Sequence, residues 1–406
     1  MKDLLRDTRV QRLLVANTLG SIGSGLTIFA VPWLIVNQPG GNTAFRWTTI
    51  ATTLILFVIA PYWGAWVDRH SRKTALLCSE AWGFCAMLTM GLTGLLLGGF
   101  ALWQLSLIFL AGMIYYTLHF SPKFAMVQQM FDRSQYQSLT ALMEIQGQTA
   151  MMIAGGIGGL LVEHVPLWGI LLFDAATYLA SFLIQSTIPY KATHIEAARA
   201  APKLSIWGSV AVGWRWLAAR PRLAVFFTCA LTPFLIVMAS NYLFPIYVAQ
   251  TLQLSAKWFA AGEIAFAIGA IAAGFTLPRL IGRHSAASTI PVTMLIFFAG
   301  ILILIFLRFP IPYLIAGLCL GFGNAGCRVA RSALMLHVIP NDVMGRVNGF
   351  YIVFDRLMRT LLVLSMGIIE LYGPPSGYML LSVVFLVAFA GVLLSRSSIR
   401  TAVAPA

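Results

Sequence analysis

Gly64-Ala65-Trp66-Val67-Asp68-Arg69-His70-Ser71-Arg72-Lys73 is a charged hairpin set between two long apolar runs, in a chain that is otherwise poor in charge. A loop this cationic is retained on the cytoplasmic side of a membrane. Gly64 would let two helices approach closely, and Asp68 would accept hydrogen bonds from a neighbouring helix N-terminus. Arg69, Arg72 and Lys73 would stay at the wet surface.

Working outward, the apolar setting of the hairpin extends over the whole chain. Of 406 residues, 59% are apolar and only 10% charged, with a mean hydropathy of +0.84, whereas soluble domains carry about 25% charge. Runs of ~20 or more apolar residues recur, each long enough to cross a ~30 Å hydrocarbon layer as a helix. The expected fold is an all-α membrane protein. The net charge of +14 comes from basic residues scattered through short loops, a pattern that suits anionic membrane lipids and not nucleic acid. Cys78, Cys85, Cys229, Cys319 and Cys327 lie inside apolar runs without Cys-x-x-Cys spacing, so they read as small packing residues, not as a disulfide framework or a metal site. The charged N-terminus, Met1 to Arg12, precedes a run too long for a signal peptide and is kept as an uncleaved first span.

Apolar runs bounded by turns and charges give twelve spans: 13–36, 47–67, 74–98, 101–122, 139–162, 166–188, 223–249, 257–278, 286–307, 310–335, 347–371 and 377–395. Of the 27 Lys and Arg, only Arg46, Lys257 and Arg308 fall on the face opposite the Arg69 loop, which places both termini in the cytoplasm. The expected domains are a six-helix bundle over 1–188, a cytoplasmic linker over 189–222 and a second six-helix bundle over 223–406. Within the linker, Trp207, Trp214 and Leu217 fall near one helical face, as in an interfacial helix on the inner leaflet. The two halves echo each other at a period of about 210 residues. Arg12-Leu13-Leu14 parallels Arg222-Leu223-Ala224, Phe45-Arg46-Trp47 parallels Ala256-Lys257-Trp258, and Ala125 to Ala141 aligns with Ser332 to Asn348. Gly64 through Arg69 parallels Gly274 through Arg279, with Pro278 in place of Asp68. Two pseudo-symmetric six-helix bundles around a central cavity are expected.

The spacing Gly-x-x-x-Asp-Arg-x-x-Arg-Lys from Gly64 to Lys73 resembles the loop between the second and third helices of major facilitator superfamily transporters, and the resemblance covers essentially the whole chain. It implies a gating role for Gly64, Asp68, Arg69, Arg72 and Lys73. Phe120-Ser121-Pro122, Leu142-Met143-Glu144, Ala154 through Leu160, Phe173-Asp174-Ala175-Ala176 and Met344 through Asn348 are similar to an exporter subgroup that includes enterobactin-type siderophore exporters. Gly155, Gly156, Gly158 and Gly159 resemble the fifth-helix antiporter signature, although its Gly-Pro pair reads Ala154-Gly155 here. Physically, such glycines permit close helix packing.

Ionisable residues inside spans are the sharper signal, because each costs roughly 2.5–3.5 kcal/mol near the bilayer centre. Glu144, Asp174, Glu263 and Asp355 are the candidate proton-coupling acids, and Arg359 is the deepest cation. Asp355 and Arg359 stand four apart, share a helix face and can pair, with Asp355 as proton carrier and Arg359 as anion anchor. Glu263 lies about six residues, ~9 Å, into its span. Glu80, nearer the cytoplasmic end, is expected to pair with a loop cation. Arg328 and Arg331, with Arg356 and Arg359, would form a basic cytoplasmic entrance. Asn17, Tyr116 and Tyr242 complete the substrate-cavity candidates. Two departures from the family pattern stand out: the first span carries no acid, and the fourth lacks a buried Arg.

No phosphate-binding loop is present, which disfavours an ATP-driven pump. The six histidines are dispersed, mostly at span ends, and neither His-Glu-x-x-His nor Gly-x-Ser-x-Gly occurs, so an enzyme is not expected and no cofactor is implied. The expected function is proton-coupled secondary export of an amphipathic small molecule such as a siderophore, by a monomer in the inner membrane, with protons and membrane lipids as partners. Multidrug efflux or lysophospholipid transport is the alternative, and a membrane enzyme or a non-transporting sensor comes from another class.

Overall fold

A computed structural model describes residues 6–131, 135–190 and 206–403. They are helical and divide into two compact units, Met1–Pro202 and Lys203–Ala406. Ten helices are long and apolar enough to cross a membrane among the described residues.

Unit 1 contains α1 (Thr8–Val36), α2 (Gly41–Arg69), α3 (Arg72–Leu97), α4 (Leu102–Met130), α5 (Tyr136–Leu161) and α6 (Leu167–Ser186). The helix starts follow from local chemistry. Asp7 caps α1, its Oδ1 accepting from the Arg9 amide at 2.8 Å. Ser71 caps α3 through the Thr74 amide at 3.3 Å, and the Gln104 side chain reaches back to the Ala101 amide at 2.7 Å at the start of α4. Gly98 ends α3 in the left-handed conformation at φ 71°, which a residue without Cβ adopts without strain. The core helix is α1, which packs on α4, α5 and α6, while α3 packs on α4 and α6. At the end of the unit that carries Lys73, Leu13, Leu76, Met126, Leu139 and Ile188 form an apolar plug.

Unit 2 contains α7 (Ile206–Ala218), α8 (Pro221–Cys229), α9 (Thr232–Ile246), α10 (Ala256–His284), α11 (Ala286–Phe306), α12 (Pro310–Val338), α13 (Asn341–Ser365), α14 (Ile368–Tyr372) and α15 (Pro374–Val403). Here α12 packs on both α10 and α11, α11 packs on α15, and α7 lies along α13.

Several expectations change on contact with the structure. The span expected over 223–249 is among the ten, as Pro221–Thr251, but it has a break inside it: α8 stops at Cys229, α9 begins at Thr232, and Tyr247–Thr251 continues as a π-helix. Pro233 at the start of α9 has no amide to continue a hydrogen-bond ladder from α8. The spans expected over 139–162 and 347–371 appear as α5 and α13, helices of 26 and 25 residues. Within α5 the described Thr149–Leu161 is a shorter apolar helix, and α13, which is not among the ten, carries Arg346, Asp355, Arg356 and Arg359. Cys78 and Cys85 are exposed on α3 and are not packing residues. Seven apart, they share a helix face that points out of the bundle. Residues 191–205 of the expected linker lie outside the described residues. Within α7, Leu217 is buried and the Trp214 ring lies 5.3 Å from Phe350 of α13. A Cβ on Gly213 would stand 2.2 Å from the Arg346 carbonyl oxygen, so α7 is seated on protein and does not rest on lipid alone.

Candidate functional site

In unit 1 the polar side chains that four apolar helices carry converge on the interior. Glu80, eight residues and about 12 Å along α3 from Arg72, is fully buried. Its Oε1 accepts from Ser181 Oγ at 2.9 Å and from Gln185 Nε2 at 2.8 Å, both on α6. From α4, His119 Nδ1 stands 3.2 Å from Glu80 Oε1, and the Tyr115 hydroxyl donates to Oε2 at 3.4 Å. Tyr115 also contacts His119 Nδ1 at 3.4 Å. Glu80 is therefore not paired with a loop cation as the sequence suggested. Its carboxylate projects inward, while the nearby cations are engaged elsewhere: Lys73 Nζ donates to the carbonyls of Ser186 and Ile188 at 2.6 and 2.7 Å, and Arg72 Nη1 donates to that of Ala125 at 2.6 Å.

The first helix makes room for this cluster. A Cβ on Gly20 would lie 3.2 Å from the Tyr115 hydroxyl, and one on Gly23 would lie 2.6 Å from Asp174 Oδ1. Asp174, on α6, is wholly buried and accepts from Thr27 of α1 at 2.5 Å. Asn17, one turn before Gly20 on the same face of α1, is 2% exposed and neither of its side-chain polar atoms has a partner.

Glu80 was expected to meet a loop cation and His119 was passed over, because the partners are dispersed in sequence, but a signal was present. Tyr115 and His119, and Ser181 and Gln185, are i, i+4 polar pairs on otherwise apolar helices, the spacing that aims two side chains at one neighbour.

The hairpin residues are placed as follows. Arg69 is exposed at the end of α2; the Asp68 side chain lies outside the described residues. Among the described residues a Cβ on Gly64 would meet nothing within 4 Å, which gives no close helix approach there. Arg72 and Lys73, expected at the wet surface, are half-buried and tie the ends of α4 and α6 to the start of α3. Next to them, Trp63, Trp66 and His70 stack, with ring centroids 4.9 and 4.5 Å apart. On α5, whose Glu144 side chain also lies outside the described residues, Gly155 and Gly159 are buried and Gly156 is half-buried. A Cβ on Gly158 would touch the Phe29 ring at 3.0 Å.

In unit 2, Arg359 Nη2 donates to Asp355 Oδ2 at 3.1 Å, fourteen residues into α13. Arg356 Nε stands 4.0 Å from the same oxygen, and the buried Arg359 Nε has no partner. Arg331 of α12 lies over the Tyr351 ring at 5.8 Å, and its Nη1 is likewise buried without a partner, whereas Arg328 is exposed. Glu263 is exposed on α10, beside Gly262, where the Tyr313 ring of α12 packs. Tyr242 is 1% exposed and belongs to the core, while Tyr116 is 54% exposed. The structure thus brings Asp355 and Arg359 together and leaves Glu263 apart from them. A groove of about 710 Å³ bounded by Arg308, Gln250, Thr251, Tyr372 and Ser376 contains none of the residues expected from sequence.

The family described as Major Facilitator Superfamily matches residues 13–363. No curated protein matches the chain. Among solved structures, the chain is similar to a mutant of the nucleoside transporter NupG (TM-score 0.70, 11% identity, 96% of this chain and 100% of that one). It is also similar to a bacterial homologue of the human lysosomal transporter Spinster in an inward-facing, unoccupied conformation (0.69, 12%, 99% of each chain). A third similar structure is a bacterial homologue of the iron transporter ferroportin in an inward-facing state (0.67, 16%, 99% of this chain and 100% of that one).

Proposed function

The chain belongs to the major facilitator superfamily, and from that premise we propose that this membrane transporter is a proton-coupled exporter of an amphipathic organic molecule of the siderophore kind. It works by alternating access from the inner membrane, as a monomer with both termini in the cytoplasm. The observation that carries this reading is the Asp355–Arg359 pair at 3.1 Å in the middle of α13.

Exchange of a proton for a substrate requires that the two compete. A substrate hydroxyl or ammonium group donating to ionised Asp355 meets that condition, because a proton arriving on Asp355 removes the acceptor and releases the group. Arg359 holds an acidic group of the same molecule through Nε, the donor that the ion pair leaves unused. A molecule bearing both donors and acidic oxygens, as siderophores do, matches both ends of the pair. The exporter-like stretches around Glu144 and Asp174 support the direction.

The test is Asp355→Asn in proteoliposomes loaded with enterobactin. The expected outcome is loss of transport driven by a pH gradient, at least about 10-fold, with enterobactin exchange at zero gradient retained and unfolding temperature unchanged. Wild-type gradient-driven rates in the variant would overturn the assignment. Extracellular siderophore measured in a deletion strain, beside a drug-susceptibility panel, separates this reading from broad drug efflux.

A further inference from the structure

We infer that Glu80 and His119 form a proton-binding site inside unit 1, distinct from Asp355, which exchanges its proton with water. The ligand is the proton itself, held between a carboxylate and an imidazole.

The argument begins with charge balance. Glu80 has no solvent exposure, and among the described residues its one ion-pairing partner is His119. An isolated carboxylate cannot be kept in a protein interior without compensation. Of the cations on its own helix, Lys73, about 10 Å away, spends its donors on the carbonyls of Ser186 and Ile188, and Arg72, about 12 Å away, donates to that of Ala125. The groups that face Glu80 are Tyr115 and His119 from α4, Ser181 and Gln185 from α6, and Gly20 of α1, which has no side chain. Asp174 and Tyr178 stand further along α6, and Tyr178 packs on Tyr115 at 4.2 Å. Among the described residues the surroundings thus add a second acid, and no Lys or Arg forms an ion pair with Glu80. One proton shared by Glu80 and His119 neutralises the pair, either as carboxylate with imidazolium or as carboxylic acid with imidazole.

Geometry adapts the pair to release that proton as well as to hold it. Ser181, Gln185 and Tyr115 donate to the two carboxylate oxygens at 2.8 to 3.4 Å, so the anion left on deprotonation keeps three hydrogen bonds. Asn17, with both polar atoms unpaired, and the Oε1 of Gln185, also unpaired, are buried polar atoms that call for internal water. Gln185 is the penultimate residue of α6, so a chain of such waters has little distance to cover to the end of the unit.

Use of this site in transport rests on the proton-coupled reading above, but its occupancy does not. The test therefore needs no substrate. The full chain in lipid nanodiscs is titrated between about pH 5 and about pH 9, with nitrogen-15 histidine spectra recorded for wild type, His119→Gln and Glu80→Gln. The expected result is a His119 ring signal that changes with pH in wild type, is absent in His119→Gln, and changes over a different pH range in Glu80→Gln. Proton uptake by wild type should exceed that of the double variant by about one proton per chain. A His119 signal that does not move, or that moves identically in Glu80→Gln, would overturn the site. The amide of Glu80→Gln still accepts from Ser181; if that variant fails to fold, wild type against His119→Gln alone decides. Asp355→Asn should leave the His119 titration unchanged, so failure of either assignment is separable from failure of the other.

Discussion

At the scale of single residues, the interior of unit 1 depends on two positions of α1 that carry no side chain. Replacing Gly23 by Ala places a methyl group 2.1 Å from Thr177 Oγ1 and 3.1 Å from the Asp174 Cα. Rotation of the Thr177 side chain about χ1, at the loss of its hydrogen bond to the Asp174 carbonyl, relieves the first contact, but the second is backbone and requires α1 and α6 to separate. Overpacking of this kind costs roughly 1–3 kcal/mol, so Gly23→Ala should lower the unfolding temperature measured in detergent, and an unchanged temperature would show that the helices part without cost. Asp355 and Arg359 were legible in sequence because a four-residue spacing fixes a helix face whatever surrounds it. Glu80 was not, since its register along α3 does not reveal that Ser181 and Gln185, about a hundred positions later, face it. Tyr242 illustrates the converse: an aromatic residue in a span gives no sign of whether it lines a cavity or fills a core, and its ring proves to be 1% exposed.

At the scale of elements, the charged hairpin between α2 and α3 acts as a tie across helix ends. Lys73 supplies a cation to the carbonyls of Ser186, the last residue of α6, and of Ile188 just beyond it, and Arg72 donates to the Ala125 carbonyl five residues before the end of α4. Replacing Lys73 by Ala should loosen the last turn of α6 by about 1–2 kcal/mol after allowance for solvent screening. Hydrogen exchange at residues 184–188 should accelerate accordingly, while exchange at mid-helix α6 residues such as Tyr178 stays slow; equal rates in both proteins would remove the tie. Helix positions were readable because ~20-residue apolar runs have one membrane-compatible conformation. The break at Ala230–Leu231 was not, because the apolar run continues through the junction and only Pro233 marks it. Glu263 shows the same limit, since its depth in α10 followed from counting but which neighbours surround it, with Tyr313 of α12 packed beside Gly262, required the structure.

At the scale of the whole molecule, the family supplies the expectation that two units change their exposure in turn, and the hairpin supplies its test. Asp68→Asn removes one negative charge from the latch that the family motif implies and leaves size unchanged. Turnover in proteoliposomes should fall by about 10-fold while equilibrium binding of enterobactin is retained; an unchanged turnover would reduce the hairpin to a topology signal. The stacked Trp63, Trp66 and His70 give this region an optical signature of its own. Two indoles held nearly parallel couple their electronic transitions, and the stacked imidazole adds to the asymmetry of their surroundings. Any rearrangement at this end of α2 therefore alters near-ultraviolet circular dichroism, so the protein carries a native chromophore that can be followed in real time without an attached dye.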